Sequence, residues 1–288
     1  MVTPNEEYPN IASALSLPRL FLKREDMHPF GSHKGRSIPV MIDTYVAQGK
    51  KKFSISSSGN AALAAAKYIQ EKNKSGAELS LEVFIGRNIL ENKKSSLFSF
   101  ADEHIKIIEK DRPLQALFGA IQLGGQSLRQ SNDDAALIGY ESLAQELTTI
   151  SNLSAIFIAT SSGTTAQAIG EHILKNKLPV EIHIVQTSSC HPMATIFDVR
   201  NDLKETSDAQ AISDKVAHRR EKIMYVISQT KGSGWVVSNE EISKATNILS
   251  AQNVSVTANG ALSFAGMMRA VSCGKKFTGS IACIIGGK

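Results

Sequence analysis

Short apolar runs alternate along the chain with longer segments whose apolar residues recur every three or four positions. KFSIS (52–56), LEVFIG (81–86), IKIIE (105–109), AIFIAT (155–160), VEIHIVQ (180–186) and SIACII (280–285) have the length and β-branched content of buried strands. NAALAAAKYIQEKN (60–73), LENKKSSLFSFADEH (90–104), RPLQALFGAIQLGG (112–125), DDAALIGYESLAQEL (133–147), TAQAIGEHILKN (165–176), NEEISKATNILSAQN (239–253) and GALSFAGMMRAVSC (260–273) follow the helical period. Short apolar strands between helices predict an α/β fold built on mostly parallel sheets with both faces covered. The stretch from Thr187 to Lys222 is polar, charged and poorly periodic, and predicts an irregular excursion with some helix.

Composition narrows this picture little. A chain of 288 residues with 42% hydrophobic and 20% charged residues is long enough for one large domain or two lobes. The net charge of +5 is spread out, its densest run being Lys50–Lys52, and aromatic content is 6%, so a nucleic-acid partner is not expected. No apolar run is long enough to cross a bilayer, and MVTPNEEYPN lacks the basic and apolar regions of a signal peptide. The cysteines, Cys190, Cys273 and Cys283, are odd in number and widely spaced. They suggest a reducing cytoplasm and neither a disulfide framework nor a metal site. His191 beside Cys190 is too small a set for a tetrahedral metal.

The candidate chemistry lies in loops between strands and helices, where α/β folds collect ligands. Ser56-Ser57-Ser58-Gly59-Asn60 follows a strand and opens a helix of small residues. Unpaired N–H groups at a helix start, serine hydroxyls and a glycine that admits close approach suit a carboxylate or another anion. Ser and Asn are also ordinary helix caps. Ala159-Thr160-Ser161-Ser162-Gly163-Thr164-Thr165 repeats the design after another strand. Without a Gly-Lys-Ser/Thr or G-x-G-x-x-G pattern it favours a compact monophosphate over a nucleotide. A third stretch, KREDMHPFGSHKGR (23–36), places Lys34 in a Gly-Ser-His-Lys turn before a helical segment.

Taken in order, a Gly-Ser-x-Lys turn, a Ser-Gly-Asn loop and a hydroxyl/glycine loop about a hundred residues later resemble the fold-type II pyridoxal-phosphate enzymes. That family includes threonine synthase, serine/threonine dehydratase, cysteine synthase and the tryptophan synthase β-subunit. GYESLAQEL and the C-terminal GSGWVVSNEEISKATNILSAQNVSVTANGALSFAGMMRA are most similar to threonine synthases and dehydratases. The resemblance implies two lobes, each a mostly parallel sheet covered by helices, with the active site in the cleft between them. It implies a larger cofactor-binding lobe from 1–40 and 139–288 and a smaller mobile lobe from 41–138. Lys34 then corresponds to the Schiff-base lysine and the base at the substrate Cα, Asn60 to the contact with the cofactor's 3-hydroxyl, and Ser161, Ser162, Gly163, Thr164 and Thr165 to its phosphate site. Ser57, Ser58 and Gly59 correspond to the substrate carboxylate site. An amine attacks a carbonyl in its neutral form, which burial and neighbouring cations favour, and Arg36 is such a neighbour in sequence. The resemblance further implies pyridoxal 5'-phosphate as cofactor, a small amino-acid substrate, phosphorylated or not, and a homodimer. The reaction class stays open between threonine synthase, dehydratase and cysteine synthase, beside a cofactor-binding protein without catalysis.

The sequence departs from the family at defined points. Gly35 replaces the Asp after the lysine, His33 the preceding Phe, and Thr257-Ala258 a Glu-Pro pair. CIIGGK has Gly286 where relatives present a Ser or Thr to the pyridine nitrogen. Cys283 lies two residues earlier, on the strand face of Ile285.

Overall fold

The computed structural model describes residues 2–89 and 91–287; the first residue of the helix expected over 90–104 and the last of CIIGGK lie outside them. In chain order the elements are β1 (Asn5–Glu7), α1 (Pro9–Ala14), β2 (Arg19–Arg24), α2 (Lys34–Ala47), β3 (Lys52–Ser56), α3 (Asn60–Lys74), β4 (Ser80–Gly86), α4 (Glu91–Phe98), β5 (Ile105–Lys110), α5 (Pro113–Gln122), β6 (Gln126–Ser127), α6 (Ala135–Ile138), α7 (Glu141–Leu147), β7 (Leu153–Ala159), α8 (Thr164–Lys175), β8 (Glu181–Thr187), α9 (Arg220–Thr230), β9 (Ser233–Val237), α10 (Asn239–Ser250), α11 (Ala258–Ser272) and β10 (Ser280–Ile285). Contacts divide the chain into two units, Met1–His28 with Tyr140–Lys288, and Pro29–Gly139. The sequence expectation carried residues up to 40 with the larger lobe. In the structure Ile38, Met41 and Ile42 of α2 instead lie in the core of the smaller unit.

The larger unit holds a six-stranded sheet in the order β1-β2-β10-β7-β8-β9. Only β1 runs antiparallel; the remaining neighbours are parallel. β2, RLFLKR, carries no clean hydrophobic pattern because its Lys23 is fully buried. The ammonium is held by the Thr3 carbonyl at 2.7 Å and by the Glu146 carboxylate, as a buried charge requires. On β10, Ile281, Cys283 and Ile285 share one core cluster, as the two-residue period of a strand dictates. The outer edge is closed by side chains. Val236 of β9 donates its N–H to Asp198 Oδ2 at 2.8 Å, and its carbonyl accepts from Arg200 Nη1 at 2.9 Å. That pairing occupies the middle of the edge another chain would use.

The smaller unit is a four-stranded parallel sheet, β5-β4-β3-β6. The single helix expected over 133–147 is two helices, α6 and α7, separated at Gly139-Tyr140. Packing explains the break. A Cβ on Gly139 would lie 2.3 Å from the Arg36 carbonyl oxygen and 2.5 Å from Ser37 Cα, so the chain touches the backbone of α2 at this point. The helix expected over 90–104 is likewise shorter, since α4 ends at Phe98 and Asp102 caps the following turn. Among the described residues no helix is long and apolar enough to cross a membrane, and no group of three or more His, Cys, Asp or Glu is placed to hold a metal.

A buried polar group sits in the larger sheet. His183 of β8 is fully buried and stacks on Phe157 at 4.5 Å. Trp235 Nε1 donates to His183 Nδ1 at 3.2 Å, which leaves Nε2–H to face Glu181 at 2.9 Å; Lys275 pairs with the same carboxylate at 2.8 Å. Burial holds the imidazole below its ordinary value, with Glu181 opposing. As pH falls, the unfolded chain therefore takes up this proton first and the fold loses stability. We expect stability to decline below pH ~6.5, the ordinary histidine value, by up to about 1.4 kcal/mol per pH unit for this one proton. Urea unfolding at a series of pH values should show a shallower acid slope in His183→Gln. Equal slopes would assign the effect elsewhere.

Candidate active site

In the smaller unit, Gly31 turns the chain at φ +75°, a conformation favouring glycine. Ser32 Oγ then accepts the Lys34 N–H at 3.2 Å, and the Ser32 carbonyl accepts from Gly35 N at 3.0 Å, starting α2 at Lys34. The turn is pinned to α3. Lys67 Nζ donates to the Pro29 carbonyl at 2.9 Å and lies over the Phe30 ring, which meets Tyr68 edge-on. Lys34 is half-buried, and among the described residues its amine has neither a hydrogen bond nor an ion pair. Arg36, two residues on, is buried.

The Ser56–Asn60 loop leaves β3 and opens α3, with Ser57, Ser58, Gly59 and Asn60 all half-buried. Ser57 Oγ accepts the Gly59 N–H at 3.3 Å, an ordinary local turn bond. The side chains of Ser58 and Asn60 make no hydrogen bond among the described residues. Gly59 has φ −123°, which any residue adopts, and a Cβ there would meet nothing within 4 Å. Neither backbone strain nor packing within the unit asks for glycine.

The neighbouring loop after β6 was not singled out in the sequence. β6 pairs with β3 in parallel, so residues 128–132 leave the same sheet edge beside Ser57–Asn60. Gln130 Nε2 donates to Ser37 Oγ at 2.7 Å, and Ser37 donates to the Ala136 carbonyl at 2.7 Å, tying this loop to α2 one turn beyond Lys34. Ser131 is buried, and its hydroxyl has no partner among the described residues. A two-residue strand such as β6 leaves no period to read, so the sequence carries no signal for its loop.

In the larger unit, the hydroxyl loop follows β7 and opens α8. Thr160 Oγ1 accepts the Gly163 N–H at 3.0 Å, and Ser162 and Thr164 hydroxyls meet at 2.9 Å. Gly163 sits at φ +90°, and a Cβ there would lie 2.9 Å from Ile223, so both backbone and space require glycine. Gly163, Thr164 and Thr165 are buried, and Ser161 and Ser162 half-buried. This is a helix start with clustered hydroxyls, the arrangement that favours an anion. Ser161 Oγ accepts two N–H bonds, from Ser213 and Asp214, at 3.0 Å each. Arg219, also outside the sequence reading, lies beside the loop. Its Cβ is 3.4 Å from the place of a Cβ on Gly163, and its Nη1 donates to Gln167 Oε1 of α8 at 2.8 Å. A basic pair just before an amphipathic helix was the available signal.

At the end of β10, Cys283 is fully enclosed and burial pushes its thiol well up, so it faces the core and does not replace the hydroxyl absent at Gly286. Ser263 of α11 donates to the Ile284 carbonyl at 2.7 Å. Thr257, standing where relatives have Glu-Pro, accepts from Gly260 N at 3.4 Å and caps α11. A Cβ on Gly260 would lie 2.8 Å from the Gly287 carbonyl oxygen, so α11 starts against the end of the chain's last strand.

The fold is shared with proteins of known structure. Serine racemase from maize superposes with a TM-score of 0.79 at 18% identity, covering 99% of this chain and 87% of that one. The processed form of threonine deaminase isoform 2 from Solanum lycopersicum gives 0.81 at 16%, covering 99% and 78%. A fungal L-serine ammonia-lyase from Rhizomucor miehei gives 0.80 at 17%, covering 100% and 93%. At these identities the likeness shows a shared fold. No curated protein matches by sequence. The family profile described as "Pyridoxal-phosphate dependent enzyme" matches residues 1–287. The chain therefore belongs to the family of pyridoxal-phosphate-dependent enzymes.

Proposed function

We propose that the chain catalyses elimination or replacement on an amino acid, in the manner of a threonine synthase, converting O-phosphohomoserine and water to threonine and phosphate. The observation that carries the catalytic reading is Lys34, a half-buried amine at the head of α2 that makes no hydrogen bond or ion pair among the described residues. The residues present fit the cofactor. The α8 start offers a helix terminus and clustered hydroxyls for a phosphate. Gly59 leaves open space where a side chain would stand, and Asn60 has an uncommitted amide.

In this reading Ser161–Thr165 would hold the phosphate, Asn60 would meet the 3-hydroxyl, and Lys34 would hold the cofactor through its amine. Pyridoxal phosphate supplies a carbonyl for the amine and a ring that takes up electrons from the substrate. Ser57, Ser58 and the backbone at Gly59 bind the substrate carboxylate through donors at a helix start. The freed Lys34 Nζ removes the substrate Cα proton, a positioned transfer worth about 10²–10⁴ in rate. The pyridine edge lacks the hydroxyl relatives place at Gly286. One neutral hydrogen bond is worth roughly 0.5–1.5 kcal/mol, too little to decide binding.

The phosphorylated substrate is supported by hydroxyls in excess of one carboxylate's needs. Ser57, Ser58 and Ser131, whose hydroxyl has no partner among the described residues, leave adjacent strands at one edge of the smaller sheet. A dehydratase is the second reading, favoured by the threonine deaminase and L-serine ammonia-lyase among the structural neighbours. By the family resemblance we further propose a cytoplasmic homodimer whose smaller lobe moves.

Purified protein supplied with pyridoxal phosphate should absorb near ~410–420 nm, as protein-bound cofactor does, and Lys34→Ala should abolish the band and turnover. Phosphate release from O-phosphohomoserine, measured beside ketoacid formation from serine and threonine, separates the two readings. Ketoacid without phosphate release makes the chain a dehydratase, and a band with neither product leaves a cofactor-binding protein. Gly59→Ala tests the open space. We expect at most about 1 kcal/mol lost in urea unfolding, the scale of a helix-cap change, while KM rises several-fold. An unchanged KM would remove Gly59 from the substrate site.

A further inference from the structure

The Thr187–Lys222 excursion meets the site described above at Ser213, Asp214 and Arg219, and its middle is tied across one edge of the larger sheet. Asp208 N–H donates to Asn239 Oδ1 at 3.0 Å. Ala211 N–H donates to Asn259 Oδ1 at 2.9 Å. Ser213 and Asp214 N–H both donate to Ser161 Oγ at 3.0 Å. Each acceptor sits at a strand-to-helix junction or a helix start. Asn239 opens α10 directly after β9, Asn259 lies in the first turn of α11, and Ser161 follows β7.

Residues 207–214 therefore form a strap along the carboxyl ends of the strands, running from β9 over the start of α11 to β7. β8 lies between β7 and β9 in the sheet, so a strap that joins their ends passes the carboxyl end of β8 as well. Ala209 and Ile212 are buried in the core cluster and pin it, and Asp214 Oδ1 accepts from Val216 and Ala217 to close its far end. Side-chain oxygens hold these four strap amides in place of a sheet ladder.

Ser161 differs from the two asparagines. A hydroxyl that accepts two N–H bonds has both lone pairs engaged and one O–H left to give. Among the described residues that O–H has no acceptor. An anion seated at the start of α8 supplies one. Donation to it polarises the oxygen and strengthens the two bonds it accepts, because hydrogen bonds in a chain reinforce each other.

We propose that Ser161 couples occupation of the phosphate site to the order of the 207–214 strap, making it a positioning residue for that segment as well as a phosphate ligand. The inference rests on the pyridoxal-phosphate reading, and the two are separable by experiment. Hydrogen–deuterium exchange of the full chain, with and without pyridoxal phosphate, reads the strap; the absorbance band reads the cofactor.

We expect loading to slow exchange in peptides covering 211–217 by about 2- to 10-fold, the range one hydrogen bond spans. Pyridoxal lacking the phosphate should give no slowing. Ser161→Ala, loaded until its band matches wild type, should lose the slowing, and Ser161→Thr, which keeps the hydroxyl, should retain it. Asn259→Ala should speed exchange at Ala211 in both states yet leave the cofactor-dependent slowing in place. Equal slowing in Ser161→Ala, slowing by pyridoxal alone, or a wild-type band with no slowing would each overturn the coupling. A wild-type protein with no band would overturn the functional reading first, and the coupling with it.

Discussion

The structure depends on a constraint of parallel sheets: a chain that leaves the carboxyl end of one strand must return through a helix that starts there. Each return gathers unpaired N–H groups, with their partial positive charge, at one edge of the sheet. Both units obey it. β3 delivers Ser57–Asn60 to the start of α3, and β7 delivers Ser161–Thr165 to the start of α8. The hydroxyls and glycines in these loops refine an anion preference that the topology already creates. Lys34 also heads a helix, so the amine and both hydroxyl loops occupy the same kind of position.

How tightly each site is specified differs, and the glycines show it. Gly163 is demanded by its own unit through a positive φ and the side chain of Ile223. Gly59 is demanded by neither φ nor packing. A glycine required by the fold says little about a ligand, whereas one the fold does not require points outward. The same contrast separates Ser161, whose lone pairs serve the strap, from Ser58 and Asn60, whose side chains serve nothing among the described residues.

Much of this was legible in the sequence because it rests on local rules. The strands with clean apolar runs and the helices with a three-to-four period appear close to where the pattern places them. What escaped depends on distant partners. β2 was hidden because Lys23 is buried against Glu146, more than a hundred residues away. The break at Gly139 follows from contact with the backbone of α2, which no window around 133–147 contains. Ser131 and Arg219 acquire meaning only once β6 lies beside β3 and Arg219 beside Gly163. The strap has no periodicity, since side chains rather than a ladder fix its amides. The loops at Ser57–Asn60 and Ser161–Thr165, by contrast, lie between a strand and a helix, where the pattern along the chain puts them.

The central claim is that Lys34 carries the cofactor. Borohydride reduction of the loaded protein fixes the bond between cofactor and amine, and peptide mass mapping then locates it. The cofactor-derived mass is expected on the peptide containing Lys34 and on no other. Attachment to a different lysine, or none after loading, would contradict it.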